Sequence, residues 1–102
     1  MVPEAMVTRW EGVYRFYEQA NQVAGSGRVN AVVVADMVRA SREVAAAWRV
    51  FTRVEGLPWW ALAAVTTAAQ AFDAQAREWE RRLPKEDERQ RSATASRPVW
   101  ML

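Results

Sequence analysis

Four arginines, Arg39, Arg42, Arg49 and Arg53, fall within about 80° of one another on a helical wheel drawn at roughly 100° per residue. A guanidinium is a planar, permanently charged fork that pairs with phosphate or carboxylate and stacks on flat rings. A solvated helix face normally supplies local counter-ions to such a row. Arg39 has Asp36 and Glu43 within reach, but Arg42, Arg49 and Arg53 have no acidic residue three or four positions away. Arg49 and Arg53 are themselves a like-charge i,i+4 pair, which costs a few tenths of a kcal/mol. An anionic partner outside the helix is therefore expected. It is either a nucleic-acid backbone or carboxylates on another subunit, with a plain solvated face as the third reading.

Other chemistry is sparse. The chain has no Cys and no His, which excludes disulfides, thiolate nucleophiles, the usual zinc sites and the commonest general base. No carboxylate pair stands out as an acid/base couple. Asp36 beside the arginines and Asp73 beside Arg77 read as ion-pair partners. The expectation is a protein that is not an enzyme and holds no cofactor or metal. Net charge is only +2, yet 13 of the 14 basic residues are Arg, a bias that a GC-rich coding sequence also produces. Gly25-Ser26-Gly27-Arg28 precedes a helix and offers backbone N–H groups, but it lacks the spacing and the Lys of a nucleotide-binding loop, so a plain turn is expected.

Three helical segments must position these groups. The first starts near Pro3, suited to a first helical turn, and carries Met6, Trp10, Val13, Tyr17, Ala20 and Ala24 at three–four spacing, with Glu11 and Arg15 paired on its outer side. Gly25-Ser26-Gly27 ends it. The second runs from Asn30, an N-cap residue, to Glu55, with the seam Met37, Ala40, Val44, Ala47, Phe51 and Val54. The Val32-Val33-Val34 run within it favours strand. Gly56-Leu57-Pro58 breaks the chain. The third spans Pro58 to Leu83 with the seam Leu62, Val65, Ala69, Phe72, Ala76, Trp79 and Leu83, and Pro84 stops it. On its outer side, Asp73 with Arg77 and Glu78 with Arg82 are expected i,i+4 pairs.

Short connections between three such seams imply an all-α chain, an antiparallel three-helix bundle over residues 1–83. Residues 84–102 read as a charged, flexible tail: Lys85-Glu86-Asp87-Glu88-Arg89-Gln90-Arg91, a Ser/Thr/Ala stretch, then Pro98-Val99-Trp100-Met101-Leu102. That apolar end is an anchor, for a partner's groove or for the bundle's own surface. The longest uncharged stretch, from Gly56 to Phe72, is short of the roughly 20 residues of a membrane span. Met1-Val2-Pro3-Glu4 opens no secretory signal, so a cytoplasmic location and no membrane partner are expected.

Six Trp in 102 residues is high, and Trp is enriched at interfaces as well as in cores. Trp59 and Trp60 point about 100° apart on a helix, so both cannot face one core; one is expected on an outer surface, against a neighbouring subunit or a base, or else partly buried under the Gly56–Pro58 turn. With Trp100 they are the candidate protein-interface residues. Contact with other subunits, including further copies of this chain, is expected.

A short all-helical chain with an arginine-rich helix face and no catalytic groups resembles the small subunits of multi-subunit CRISPR effector complexes. The resemblance covers Pro3 to Leu83 at the level of architecture and rests on no sequence motif. It implies a ribonucleoprotein subunit in which Arg39, Arg42, Arg49 and Arg53 help hold RNA or single-stranded DNA. The Trp10-Glu11-Gly12 triplet is similar to that of secreted Trp-x-Gly helical hairpins. In that family it sits at the turn between helices, whereas here it lies inside the first helical segment. The alternative to the ribonucleoprotein reading is a homo-oligomerising, protein-interaction bundle of phage, plasmid or helical-hairpin type that binds no nucleic acid.

Overall fold

The computed structural model describes residues 2–27 and 29–83. Three helices form, α1 (Glu4–Gly25), α2 (Ala31–Phe51) and α3 (Trp59–Glu80), and they pack antiparallel in chain order. The charged tail and its Trp100 anchor lie outside the described residues.

Local chemistry sets the boundaries. Pro3 and Pro58 precede α1 and α3 with φ of −60° and −63°, and their missing N–H is no loss where helix donors are unpaired anyway. The Asn30 side chain accepts a hydrogen bond from the Val33 N–H at 2.9 Å, capping α2. Gly27 and Gly56 adopt φ of +91° and +79° in the two connections, a region other residues rarely enter. The strand-prone valine run is helical, with Val33 and Val34 buried and Val32 exposed. Packing has overridden a weak propensity.

Two boundaries differ from expectation. The second helix stops at Phe51, not Glu55, where Thr52 and Arg53 fold into a turn whose N–H groups bond back to Arg49 and Val50. The third stops at Glu80, three residues short of Leu83.

Burial is uneven. Ten α2 residues are buried, against Ala20 alone on α1 and Ala69 and Ala76 on α3. Val33, Val34, Met37, Val38, Ala40, Ser41, Val44, Ala45, Ala47 and Phe51 span about half the circumference of α2 at roughly 100° per residue. One helix can bury that arc only by being flanked on two sides. Accordingly α2 lies in the middle, and no Cα of α1 comes within 8 Å of a Cα of α3. The small residues Ala20, Ala69 and Ala76 stand at the contacts and allow close helix approach.

Aromatics bridge what the backbones leave open. Tyr14 and Tyr17 of α1 meet Phe72 of α3 edge-on, with ring centroids 6.5 and 5.1 Å apart, and the Tyr17 hydroxyl donates to Gln75 Oε1 at 2.9 Å. Trp10 stacks on Tyr14 and meets Trp48 edge-on at 5.1 Å, and Trp48 in turn meets Phe51. Three buried polar atoms have no partner among the described residues: Trp10 Nε1, Trp48 Nε1 and Ser41 Oγ. Ser41 is 0% exposed and sits mid-helix in the core.

Leu62 departs from the expected seam. It is 42% exposed, because α2 ends at Phe51 and leaves the first turns of α3 without a helix to cover them.

Candidate functional site: the arginine edge and the Trp59–Trp60 end

The arginine row is where folding changes the reading most. Arg42 and Arg49 both point to α3, where Glu80 and Asp73 accept hydrogen bonds from their guanidinium nitrogens. These are interhelical ion pairs, with Arg side chains about half exposed and Asp73 at 26% exposure. Moving from Arg42 to Arg49 is two turns forward along α2, and moving from Glu80 to Asp73 is two turns back along α3. One antiparallel register therefore makes both pairs. The hydrogen bond to Asp73, opposed by desolvation and aided by the Asp73 charge, holds the Arg49 guanidinium above its ordinary pKa. A raised value means that the stabilisation is fully present below the ordinary pKa and is lost only as pH climbs through the folded one. The pair is therefore intact throughout the neutral range.

Arg39 is placed differently. Its guanidinium lies over the Phe16 ring at 4.9 Å to the centroid, a cation–π contact, with Asp36 at a long 3.9 Å. Arg53 sits in the turn after α2, and forms no ion pair among the described residues. The expectation that this row lacks intramolecular counter-ions is thus corrected for Arg42 and Arg49, and the row ends at Arg49 because the helix does. The local pairs expected on α3 are corrected too. Asp73 serves Arg49 rather than Arg77, and Glu78 pairs with Arg81 at 2.9 Å rather than with Arg82, which lies over the Trp79 ring.

A search for acids three or four residues away could not find Glu80 and Asp73. The shared seven-residue step between the two arginines and the two carboxylates was the available signal, once α2 and α3 are taken as antiparallel neighbours.

Trp59 and Trp60 begin α3 and are 81% and 63% exposed. Of the two, one was expected to face outward. In the structure both do, and Leu62, one turn on from Trp59, is exposed as well. The other end of the bundle, at the α1–α2 connection, exposes Val23, Val29 and Val32. Trp100, the third interface candidate, lies outside the described residues.

A groove of about 730 Å³ runs along the face of α2 turned away from Trp48, between Arg9 and Val13 of α1 and Glu80 and Leu83 at the end of α3. Among the described residues no acidic cluster could hold a metal ion, and no helix is long and apolar enough to cross a membrane. Comparison with protein-family models, curated proteins and solved structures finds no match.

Proposed function

We propose that this chain is a non-catalytic interaction subunit that self-associates through the Trp59–Trp60 end of α3. The observation that carries this reading is the exposure of two adjacent indoles, at 81% and 63%, on an ordered helix. Trp buries about 150–250 Å² on contact, so four indoles from two copies supply roughly 600–1,000 Å². With Leu62 and the flanking turn this approaches the roughly 1,200 Å² at which specific interfaces begin. A two-fold axis through the patch brings like surface to like, the commonest arrangement of homodimers.

The interaction reading gains over the ribonucleoprotein reading from the state of the arginines. Phosphate contacts by Arg42 and Arg49 would first have to displace Glu80 and Asp73. A role like that of a CRISPR small subunit, with RNA or single-stranded DNA along Arg39, Arg42, Arg49 and Arg53, is the opposing outcome of the test.

That test is sedimentation velocity over a concentration series. The wild-type chain is expected at twice its 11.6 kDa mass or more, and the Trp59→Ser/Trp60→Ser variant at the monomer mass with unchanged helicity. A wild-type monomer at every concentration, or a variant that assembles like the wild type, overturns the proposal. So does a wild-type monomer that co-purifies with nucleic acid and loses it when Arg42, Arg49 and Arg53 are changed to Glu. That last result establishes the ribonucleoprotein reading instead.

A further inference from the structure

Resting on the self-association proposed above, we infer that two copies pair their α3 helices antiparallel. Trp60 of each copy is then seated against Ala71 of the other.

The outer face of α3 is unlike that of a helix that meets water. Between Glu55 and Asp73 the chain carries no charge, yet Ala63, Ala64, Thr67 and Ala71 are all exposed. Surface helices set charged residues opposite their buried stripe, and a helix without them belongs in an interior. The second half of α3 follows that rule, with Arg77 and Glu78 exposed. Trp60, Ala64, Thr67 and Ala71 fall within about 60° of one another at roughly 100° per residue, opposite the buried Ala69 and Ala76. A second copy on this face supplies the area by which four indoles fall short of the roughly 1,200 Å² of a specific interface.

The order of side chains along the face selects the antiparallel arrangement. A parallel pair sets Trp60 against Trp60 and alanine against alanine, wedging the helices apart at one end. An antiparallel pair has its two-fold axis midway between Trp60 and Ala71. It sets large against small twice over, and Ala64 against Thr67, the alternation that lets layers interdigitate. Beside Ala71 the surface is already shaped for a ring. A depression of about 330 Å³ lies there, lined by Tyr17, Ala71, Phe72 and Gln75 and by no charged residue. Tyr17 and Phe72 offer an indole aromatic contacts. The Tyr17 hydroxyl donates to Gln75 Oε1. It therefore keeps lone pairs to accept the indole N–H, which needs a partner once buried.

The chain has no Cys, so single-cysteine variants report the register directly. Ala64 and Thr67 stand about 1.5 residues either side of the axis. Each therefore lies about 4.5 Å along the helix from its own counterpart, within reach of a disulfide. Ala64→Cys and Thr67→Cys should each form a covalent dimer under mild oxidation, at concentrations where the wild type sediments as a dimer. Ala74→Cys, about 25 Å from its counterpart, should not. Ala71→Glu, at an exposed helical position, should weaken association more than about tenfold with helicity unchanged. Cross-linking at Ala74→Cys equal to that at Ala64→Cys marks a parallel pair and overturns the inference. So does an Ala71→Glu variant that associates like the wild type. A wild-type dimer in which neither Ala64→Cys nor Thr67→Cys cross-links also overturns it. Cross-linking through Leu57→Cys in that case marks indoles meeting end to end, and leaves the proposed self-association standing. A wild-type monomer at every concentration overturns both this arrangement and the self-association on which it rests.

Discussion

Breaking the Arg49–Asp73 pair tests the central correction to the arginine row. Four proteins suffice: wild type, Arg49→Gln, Asp73→Asn and the double variant, unfolded with urea so that ionic strength stays free to vary. Two unit charges about 4 Å apart attract by about 1 kcal/mol in water and about 4 kcal/mol at an effective dielectric of 20. Arg49 is 51% exposed and Asp73 is 26% exposed, so the pair stands near the aqueous limit, and ordering two side chains costs part of the gain. The coupling energy expected from the cycle is about 0.5–1 kcal/mol at low salt. It should fall by more than half in about 1 M salt, where the screening length is roughly 3 Å. The same variants report on nucleic acid. Asp73→Asn with Glu80→Gln releases two guanidinium groups, so weak single-strand binding should appear with a log–log salt slope of about −1.4. Four arginines already committed to phosphate would instead give the wild type a slope of about −3. A coupling below about 0.2 kcal/mol at low salt, or one indifferent to salt, refutes the pairing argument.

Two further outcomes follow from the core and from the α2 cap. Ser41→Ala removes a fully buried hydroxyl that has no partner among the described residues and improves helix propensity, so it should stabilise the fold by about 1–2 kcal/mol. A rise in Tm of several degrees in a thermal melt checks this, and destabilisation would show that the hydroxyl is satisfied in solution. Asn30→Ala removes the acceptor of the Val33 N–H and should cost about 1 kcal/mol in urea unfolding, with Asn30→Gly costing only a few tenths; equal losses would refute the capping role.

The helices were legible because their signals are local. Asn30, the glycines at 27 and 56, and the prolines at 3 and 58 act within a turn of where they stand, and the three–four spacing of Met37, Ala40, Val44, Ala47 and Phe51 marks the buried stripe of α2. Less legible was how far that helix would run. Val54 continues the spacing to the eye, but Gly56 with positive φ requires the chain to turn before α3, and the turn begins at Thr52. The exposure of Leu62 follows from the same early stop.

Sequence by itself determined the helical content, the two breaks, the absence of His and Cys chemistry and the presence of an arginine-rich face. Tertiary structure alone decided that α2 lies between the other two, that Arg42 and Arg49 find Glu80 and Asp73, and that Trp59 and Trp60 both remain outside. The division has one cause. Backbone propensity and capping act over three or four residues, whereas a counter-ion or a covering surface is chosen by the register of one helix against another, and that register is set by the whole packed interface at once.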